Sequence, residues 1–270
     1  MSKYYPDSYF GAGGQRFAGF GETIIRFERR RRTRAIQRFC PQPGRILDVG
    51  CGRGVILRKL KQKGWECYGS EISESLAHQL QMAGIRTYRE LNLKNCSFPD
   101  SFFDVVSLWH SFEHLPDPCS TLAEIYRILR PNGIAVFAVP NFGSLLSQWT
   151  RQDWFALDVP RHLYHYDRQS LPSLIETHRF HIEHVSDLSL EQDVLGTAQS
   201  IMNWLGFRQN GLYNLIRKEE ARSANLVRLP FGERAMLTVV GGMLLALSLP
   251  LCLAASLARS GGTLEIWGRK

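Results

Sequence analysis

The chain has 270 residues, of which 44% are hydrophobic and 21% charged, so it can bury a sizeable globular core. Its cysteines contain no CxxC pair and no hydrophobic leader opens the sequence, so we expect a reducing compartment and neither a disulfide framework nor a metal site. The net charge of +8 is uneven, because seven arginines and one glutamate lie between residues 26 and 38.

This arginine cluster belongs to a basic helical lead predicted over residues 1–42. One interpretation is a solvated helix at the edge of a sheet, with its ends docked by Ile24, Ile25, Ala35, Ile36 and Phe39. The alternative is a surface for anionic phosphates or lipid headgroups.

Short β-rich runs then alternate with helix-compatible segments, which predicts an α/β fold with parallel strands. The clearest helix lies within residues 117–133, where apolar residues recur at helical spacing before Pro131 and Gly133. The predicted strands cover residues 45–50, 66–72, 86–91, 103–109, 133–140 and 180–188.

A glycine-rich turn, "LDVGCGRG" over residues 47–54, follows the first strand. Its glycines, Gly50, Gly52 and Gly54, favour positive φ and close approach of a ligand to the backbone. Their spacing differs from the dinucleotide-binding pattern G-x-G-x-x-G, because the third glycine, Gly54, comes one residue early. Asp48 would also repel a pyrophosphate but suit a cationic ligand. Glu71 ends the second strand, where an acidic side chain in such folds binds ribose hydroxyls.

Four segments together resemble the class I S-adenosylmethionine-dependent methyltransferases. They are the glycine turn, the strand-end Glu71, "FPDSFFDVVSLWHSFEHLPDP" (98–118) and "LRPNGIAVFAVPN" (129–141). The "EHLPDP" element and "WFALDVPRHLYHY" (154–166) are similar to the small-molecule branch of that family. The resemblance implies a Rossmann-like, seven-stranded, mostly parallel sheet with an antiparallel last strand, and S-adenosylmethionine as the cofactor.

The resemblance also implies roles for individual residues. Glu71 would bind the ribose, Ile72 would flank the adenine, and Asn92, or Glu90 if the register slips, would meet the adenine amino group. The complete predicted cofactor set is Asp48, Gly50, Cys51, Gly52, Gly54, Glu71, Ile72, Asn92 and Trp109.

The fourth strand ends in "WHSFEH", at the edge where open α/β sheets bind ligands. Residues 154–166 add four aromatic side chains and Arg161, which predicts a lid over the substrate; the alternative is a packed surface loop. A methyl acceptor that loses a proton needs a base, and histidine titrates near neutrality. The candidates are His110, His114, His162 and His165.

An uncharged run, residues 235–258, is long enough to cross a bilayer. Residues 261–270, however, resemble the last antiparallel strand of the family, which would hold both ends of the run on one side of a membrane. We therefore predict an insertion over 193–258, between the core (43–192) and the final strand (259–270), that dips into one leaflet as a helical hairpin bent near Pro250 or Gly241-Gly242. A buried helix or dimer interface and a single span with a free tail are the alternatives.

These features predict a methyltransferase on the cytoplasmic side of a membrane, peripheral or monotopic, with integral placement as an alternative. Its acceptor is an amphiphilic small molecule: a quinone, a lipid or a lipid-linked sugar. An RNA methyltransferase and a non-catalytic cofactor-binding module are the alternatives. The fourth strand lacks the [DN]PP[FY] sequence typical of enzymes that methylate exocyclic base nitrogens, which disfavours nucleic acid.

Overall fold

The computed structural model describes residues 20–216 and 230–270, which form one seven-stranded sheet with helices on both faces. The strands are β1 (Arg45–Val49), β2 (Glu66–Ser70), β3 (Arg86–Tyr88), β4 (Phe103–Trp109), β5 (Leu129–Pro140), β6 (His181–Ser186) and β7 (Thr263–Arg269). The helices are α1 (Phe20–Phe39), α2 (Val55–Lys61), α3 (Glu74–Met82), α4 (Pro118–Ile128), α5 (Leu145–Thr150), α6 (Ser170–Thr177), α7 (Leu190–Trp204), α8 (Gly211–Ile216) and α9 (Phe231–Leu257).

The strand order is β3-β2-β1-β4-β5-β7-β6, and β7 is antiparallel to both of its neighbours. This order confirms the predicted Rossmann-like sheet with an antiparallel last strand. Strand order reverses between β1 and β4, where Asp48 is in register with Ser107. Open α/β sheets bind their ligands at such a switch point, so the topology places a crevice at the carboxyl ends of β1 and β4.

The largest error in the strand boundaries concerns β5, which begins at Leu129 rather than at residue 133. Leu129 pairs with Phe103 of β4, so α4 ends at Ile128, before the Pro131 and Gly133 taken as its stop signal. Sheet pairing thus overrides the helical periodicity that continues to Leu129.

Two hydrophobic clusters fill the two faces of the sheet. On one face, Ile36 of α1 and Leu57 of α2 belong to the same cluster as Val136 and Trp267 of the sheet. On the other face, Leu122 of α4 and Ile175 of α6 belong to the same cluster as several sheet residues, among them Val106 and Phe137. The helices on both faces leave the carboxyl edge of the parallel strands as the accessible side of the sheet.

The arginines of α1 divide into two groups. Arg31 forms ion pairs with Glu28 and Glu265, and Arg32 pairs with Glu28 and Glu191. These two arginines therefore fasten α1 to β7 and α7, and the idea that the whole cluster faces anionic headgroups or RNA is wrong for them. The exposed members are Arg26, Arg30, Arg34 and Arg38.

Helices α7, α8 and α9 lie between β6 and β7 in the chain and pack around Ala198, Met202, Leu212 and Leu237. The Thr197 hydroxyl lies 3.3 Å from Cys252 Sγ, which extends the contact between α7 and α9 toward the C-terminal end of α9. Because β7 then joins the sheet, a single span with a free C-terminal tail is excluded.

The predicted bend in the apolar run is wrong, because α9 continues through Gly241-Gly242 and Pro250 to Leu257. Contacts along the helix explain why it stays whole. Gly241 is buried against Leu212, and Ser248 and Cys252 are buried on either side of the exposed Pro250. The proline removes one backbone N–H, but packing on both of its sides holds the helix together.

Candidate active site

The glycine turn after β1 takes its shape from positive φ angles and from the Glu71 carboxylate. Gly52 and Gly54 have φ of +53° and +59°, and a Cβ on Gly54 would lie 2.2 Å from Leu80 Cδ2. No atom lies within 4 Å of a Cβ built on Gly52, which faces the cavity. A ligand can therefore approach the backbone closely at Gly52.

Glu71 accepts hydrogen bonds from the backbone N–H groups of Gly52 (2.9 Å) and Ser73 (2.8 Å) through different carboxylate oxygens. Burial raises its pKa, and these two hydrogen bonds oppose the rise. Each oxygen has a second lone pair, so the carboxylate can hold the turn and still accept hydroxyl groups from a ligand.

Asp48 lies on the floor of the same crevice. It is buried and accepts a hydrogen bond of 2.7 Å from the Ser107 hydroxyl. Burial raises the pKa of Asp48 to about 7, against the lowering effects of Ser107 and Arg32. A cationic ligand group beside Asp48 would favour the ionised carboxylate.

Trp109 forms the wall at the carboxyl end of β4. The Arg32 guanidinium lies 4.6 Å from the centre of its ring, and the indole Nε1 is buried with no hydrogen-bond partner among the described residues. Such an unsatisfied donor on a cavity wall fits a polar ligand that accepts its hydrogen bond.

The predicted lid is docked on the turn that follows β4. The backbone N–H of Leu163 donates to the Glu113 carbonyl (2.9 Å), and the Tyr164 hydroxyl donates to the Pro116 carbonyl (3.0 Å). These bonds bring Arg161 and His162 to the cavity, beside His114.

The imidazoles of His114 and His162 face each other, with ring centres 4.8 Å apart. Nδ1 of His114 lies 2.9 Å from the Arg161 carbonyl, and Nδ1 of His162 lies 2.7 Å from the Ala156 carbonyl. Burial lowers the pKa of both, and burial together with His114 lowers that of His162 to about 4. Both rings are therefore neutral at pH 7, with the proton on Nδ1 and the lone pair on Nε2.

Glu113 lies beside these rings and is 1% exposed. Among the described residues, neither of its carboxylate oxygens has a hydrogen-bond partner, and burial raises its pKa to about 8, against the lowering effect of its own backbone N–H. Its Oε1 lies 3.8 Å from His110 Nδ1 and 3.9 Å from His162 Nε2, too far for hydrogen bonds.

These elements enclose one cavity of about 500 Å³. It joins the glycine turn to a region walled by α5, the lid, α7 and α8. The sequence-predicted residues that line it are Asp48, Gly50, Cys51, Gly52, Gly54, Glu71, Ile72, Trp109, His110, His114 and His162.

Asn92 and His165 do not line the cavity. The Asn92 amide oxygen accepts a hydrogen bond from the Lys94 N–H (3.2 Å) and so caps a short 3-10 turn. His165 Nε2 lies 2.9 Å from the Leu157 carbonyl, and its ring packs against Phe142. Leu91, one position before Asn92, does reach the cavity.

Sequence reasoning missed the contribution of the insertion to the cavity. Glu191, Leu195 and Gly196 of α7 and Tyr213 and Asn214 of α8 line it. No motif marked them, because α7 reads as an ordinary amphipathic helix. The one available signal was the pair of acidic residues in its first turn, Glu191 and Asp193.

A sheet of this order, with a carboxylate-flanked glycine turn at its switch point, defines the class as Rossmann-like methyltransferases that use S-adenosylmethionine. Residues 22–185 match the family model described as a methyltransferase domain, so the chain belongs to that family. The predicted family and cofactor are thereby confirmed.

Curated relatives include two proteins named ubiquinone biosynthesis O-methyltransferase. That of Alkalilimnicola ehrlichii is 32% identical over 103 residues, which are 36% of this chain and 42% of the relative. That of Pseudomonas entomophila is 34% identical over 104 residues, 36% of this chain and 44% of the relative. The match thus spans less than half the length of these relatives.

Solved structures share the fold at low sequence identity. A methyltransferase from Archaeoglobus fulgidus has a TM-score of 0.53 at 19% identity, covering 90% of this chain and 94% of that one. A phosphoethanolamine N-methyltransferase from Haemonchus contortus, in complex with S-adenosylhomocysteine, has a TM-score of 0.54 at 17% identity. The match covers 89% of this chain and 52% of that one. These similarities concern the fold alone.

Proposed function

We propose that the protein methylates an amphiphilic small molecule, such as a quinone, a lipid or a lipid-linked sugar, at the cytoplasmic surface of a membrane. The observation that carries the proposal is the continuity of the cavity. It runs from the glycine turn to a wall built by the insertion that also holds the apolar helix α9.

The cofactor would occupy the end of the cavity formed by β1 and β2. Glu71 would accept the ribose hydroxyls, Ile72 would pack on the adenine, and Asp48 with the glycine turn would surround the methionine part. The unsatisfied Trp109 Nε1 and the open space over Gly52 support this placement. Leu91 lines the cavity whereas Asn92 does not, so Leu91 would take the adenine-side position that sequence reasoning gave to Asn92.

The sulfonium of S-adenosylmethionine supplies an electrophilic methyl group. The protein's task is to align an acceptor and exclude water, which contributes up to about 7–11 kcal/mol in favourable cases. His114 and His162 present basic Nε2 atoms at the acceptor end and would take a proton from a hydroxyl acceptor. His110 lies beside them, whereas His165 is outside the cavity.

The apolar surface of α9 supports placement at a membrane. By length and composition α9 is the one helix among the described residues that suits a bilayer, and most of it is not buried. Its exposed side includes Met236, Val239, Met243 and Leu247, spaced on one helical face. Since α7 and α8 pack along another face, we infer that α9 lies in the membrane plane rather than crossing it.

The acceptor wall is consistent with an amphiphile. Leu146, Trp154, Phe155, Leu195 and Tyr213 supply apolar and aromatic surface at the end opposite the glycine turn. An RNA acceptor has less support, because Arg31 and Arg32 pair with acidic side chains.

The test is methyl transfer from labelled S-adenosylmethionine to fractionated cell extracts. We expect label in the lipid-soluble fraction, and loss of transfer in Glu71→Ala. Label only in water-soluble acceptors would refute the amphiphilic acceptor. Binding of the cofactor without turnover in any fraction would instead identify a non-catalytic module.

A further inference from the structure

The acceptor end of the cavity holds a buried acid-histidine cluster that cofactor binding does not use. Glu113 and His114 come from the turn after β4, and His162 comes from the lid. One potential ligand atom from each residue lies within 4.8 Å of the other two. No metal-ligand spacing is visible in the sequence, because the cluster joins segments 48 residues apart along the chain.

Glu113 is the observation that requires an explanation. A carboxyl group buried to 1% exposure, with no hydrogen-bond partner on either oxygen among the described residues, is costly, and natural proteins pair such groups or bind a cation to them. His110 and His162 are its nearest titratable neighbours, at 3.8 and 3.9 Å. A cation between Glu113 and the imidazoles would satisfy the carboxylate.

The imidazoles are already oriented as metal ligands. Nδ1 of His114 is directed at the Arg161 carbonyl, and Nδ1 of His162 is directed at the Ala156 carbonyl. Metal-bound histidines in proteins show this arrangement, in which the second nitrogen donates to a carbonyl and fixes the tautomer. Both rings therefore offer Nε2 as the basic nitrogen.

We propose that Glu113, His114 and His162 form a binding site for a divalent transition metal ion of the zinc class. Two imidazoles and one carboxylate are the ligand set of catalytic zinc and non-haem iron sites, and they leave a coordination position open. Tetrahedral ligands at about 2.1 Å from a metal lie about 3.4 Å apart, so the ligand atoms, which lie within 4.8 Å of one another, must close by up to about 1.4 Å on binding.

The open position faces the acceptor end of the cavity. Once they bind the metal, the Nε2 atoms of His114 and His162 are ligands and no longer act as bases. If the protein acts on the proposed acceptors, a hydroxyl oxygen of the acceptor would then coordinate at the open position and lose its proton to solvent. The oxygen would then attack the sulfonium methyl group, and sulfur would retain the electron pair of the broken bond. This second part rests on the proposed function, whereas metal binding itself does not.

Equilibrium dialysis of EDTA-treated protein against Co²⁺ or Zn²⁺, with the visible spectrum of Co²⁺, tests the site. We expect about one bound ion per chain and a loss of affinity of at least about tenfold in Glu113→Gln and in His162→Asn. Excess Mg²⁺ should not displace the ion, because imidazole ligands disfavour it.

His178→Asn is the matched control, since His178 also bonds a backbone carbonyl, that of Leu174, but lies outside the cavity. It should bind the ion like the wild type, and thermal melts establish that each variant is folded. Binding well below one ion per chain by the wild type would refute the site. So would unchanged affinity in both cluster variants, or displacement by Mg²⁺. Methyl transfer without bound metal refutes the role of the metal in the transfer but not the binding site, and metal binding without transfer refutes the proposed function alone.

Discussion

Glu71 combines two tasks at the scale of a single residue. Its carboxylate fixes the backbone at Gly52 and Ser73, and it also lines the cavity. Asp48, one strand away, is held by Ser107 and faces the same space. A buried carboxylate that keeps lone pairs for a ligand is a recognition group, because those remaining lone pairs gain partners only on binding.

Replacing either carboxylate should weaken cofactor binding. Glu71→Ala and Asp48→Ala are each expected to reduce the affinity for S-adenosylmethionine by about 1–3 kcal/mol, the cost of losing a hydrogen bond to a charged group. Isothermal titration calorimetry measures the change. Glu74→Ala is the control, because Glu74 is exposed and forms a surface ion pair with Arg89. Wild-type affinity in both carboxylate variants would contradict the site assignment.

Two adjacent glycines in α9 have different surroundings. A Cβ on Gly241 would lie 2.5 Å from Leu212 Cδ1, which is buried in the contact between α8 and α9. A Cβ on Gly242 would meet no atom within 4 Å. The first glycine therefore permits helix packing, whereas the second only lowers helix propensity.

This pair gives a matched test of how α9 docks. Gly242→Ala should stabilise the protein by up to about 1 kcal/mol through helix propensity. Gly241→Ala gains the same propensity but overpacks Leu212, which costs about 1–3 kcal/mol. Urea denaturation should therefore rank Gly242→Ala as the more stable variant. Equal stabilities would mean that α9 does not pack on α8 as described.

At the scale of the whole molecule, the apolar and basic surfaces lie on separate elements. A run of exposed apolar residues follows α9, where Met243 has 62% of its surface accessible. A group of exposed arginines, Arg26, Arg30, Arg34 and Arg38, lies on α1. Hydrophobic contact with a bilayer does not depend on salt, whereas contact through arginines weakens as salt screens the charges.

Vesicle flotation separates these two contributions. With vesicles of phosphatidylcholine alone, the protein should float at low and at high salt, and the double variant Met243→Glu/Leu247→Glu should not. The double variant Arg30→Ala/Arg34→Ala is the control and should float like the wild type. If the wild type does not float but forms a dimer, and the variant Met243→Glu/Leu247→Glu does not dimerise, this face of α9 binds a second copy of the chain instead of a membrane.

Much of the molecule follows from local sequence. The glycine turn, Glu71 and the order of strands and helices predict the fold and the cofactor end of the site, because each depends on residues close together in the chain. Asn92 shows the limit of this reasoning. One step of register decides which side chain reaches the cavity, and Leu91 does so instead.

The sequence by itself determined the class of protein, the cofactor and the presence of an apolar helix, since these depend on short motifs and composition. Only the tertiary structure decided that α9 is unbroken, that Arg31 and Arg32 pair internally, and that Glu113 meets His162. Those outcomes depend on contacts between segments far apart in the chain, such as Arg31 with Glu265, and local periodicity carries no information about such contacts.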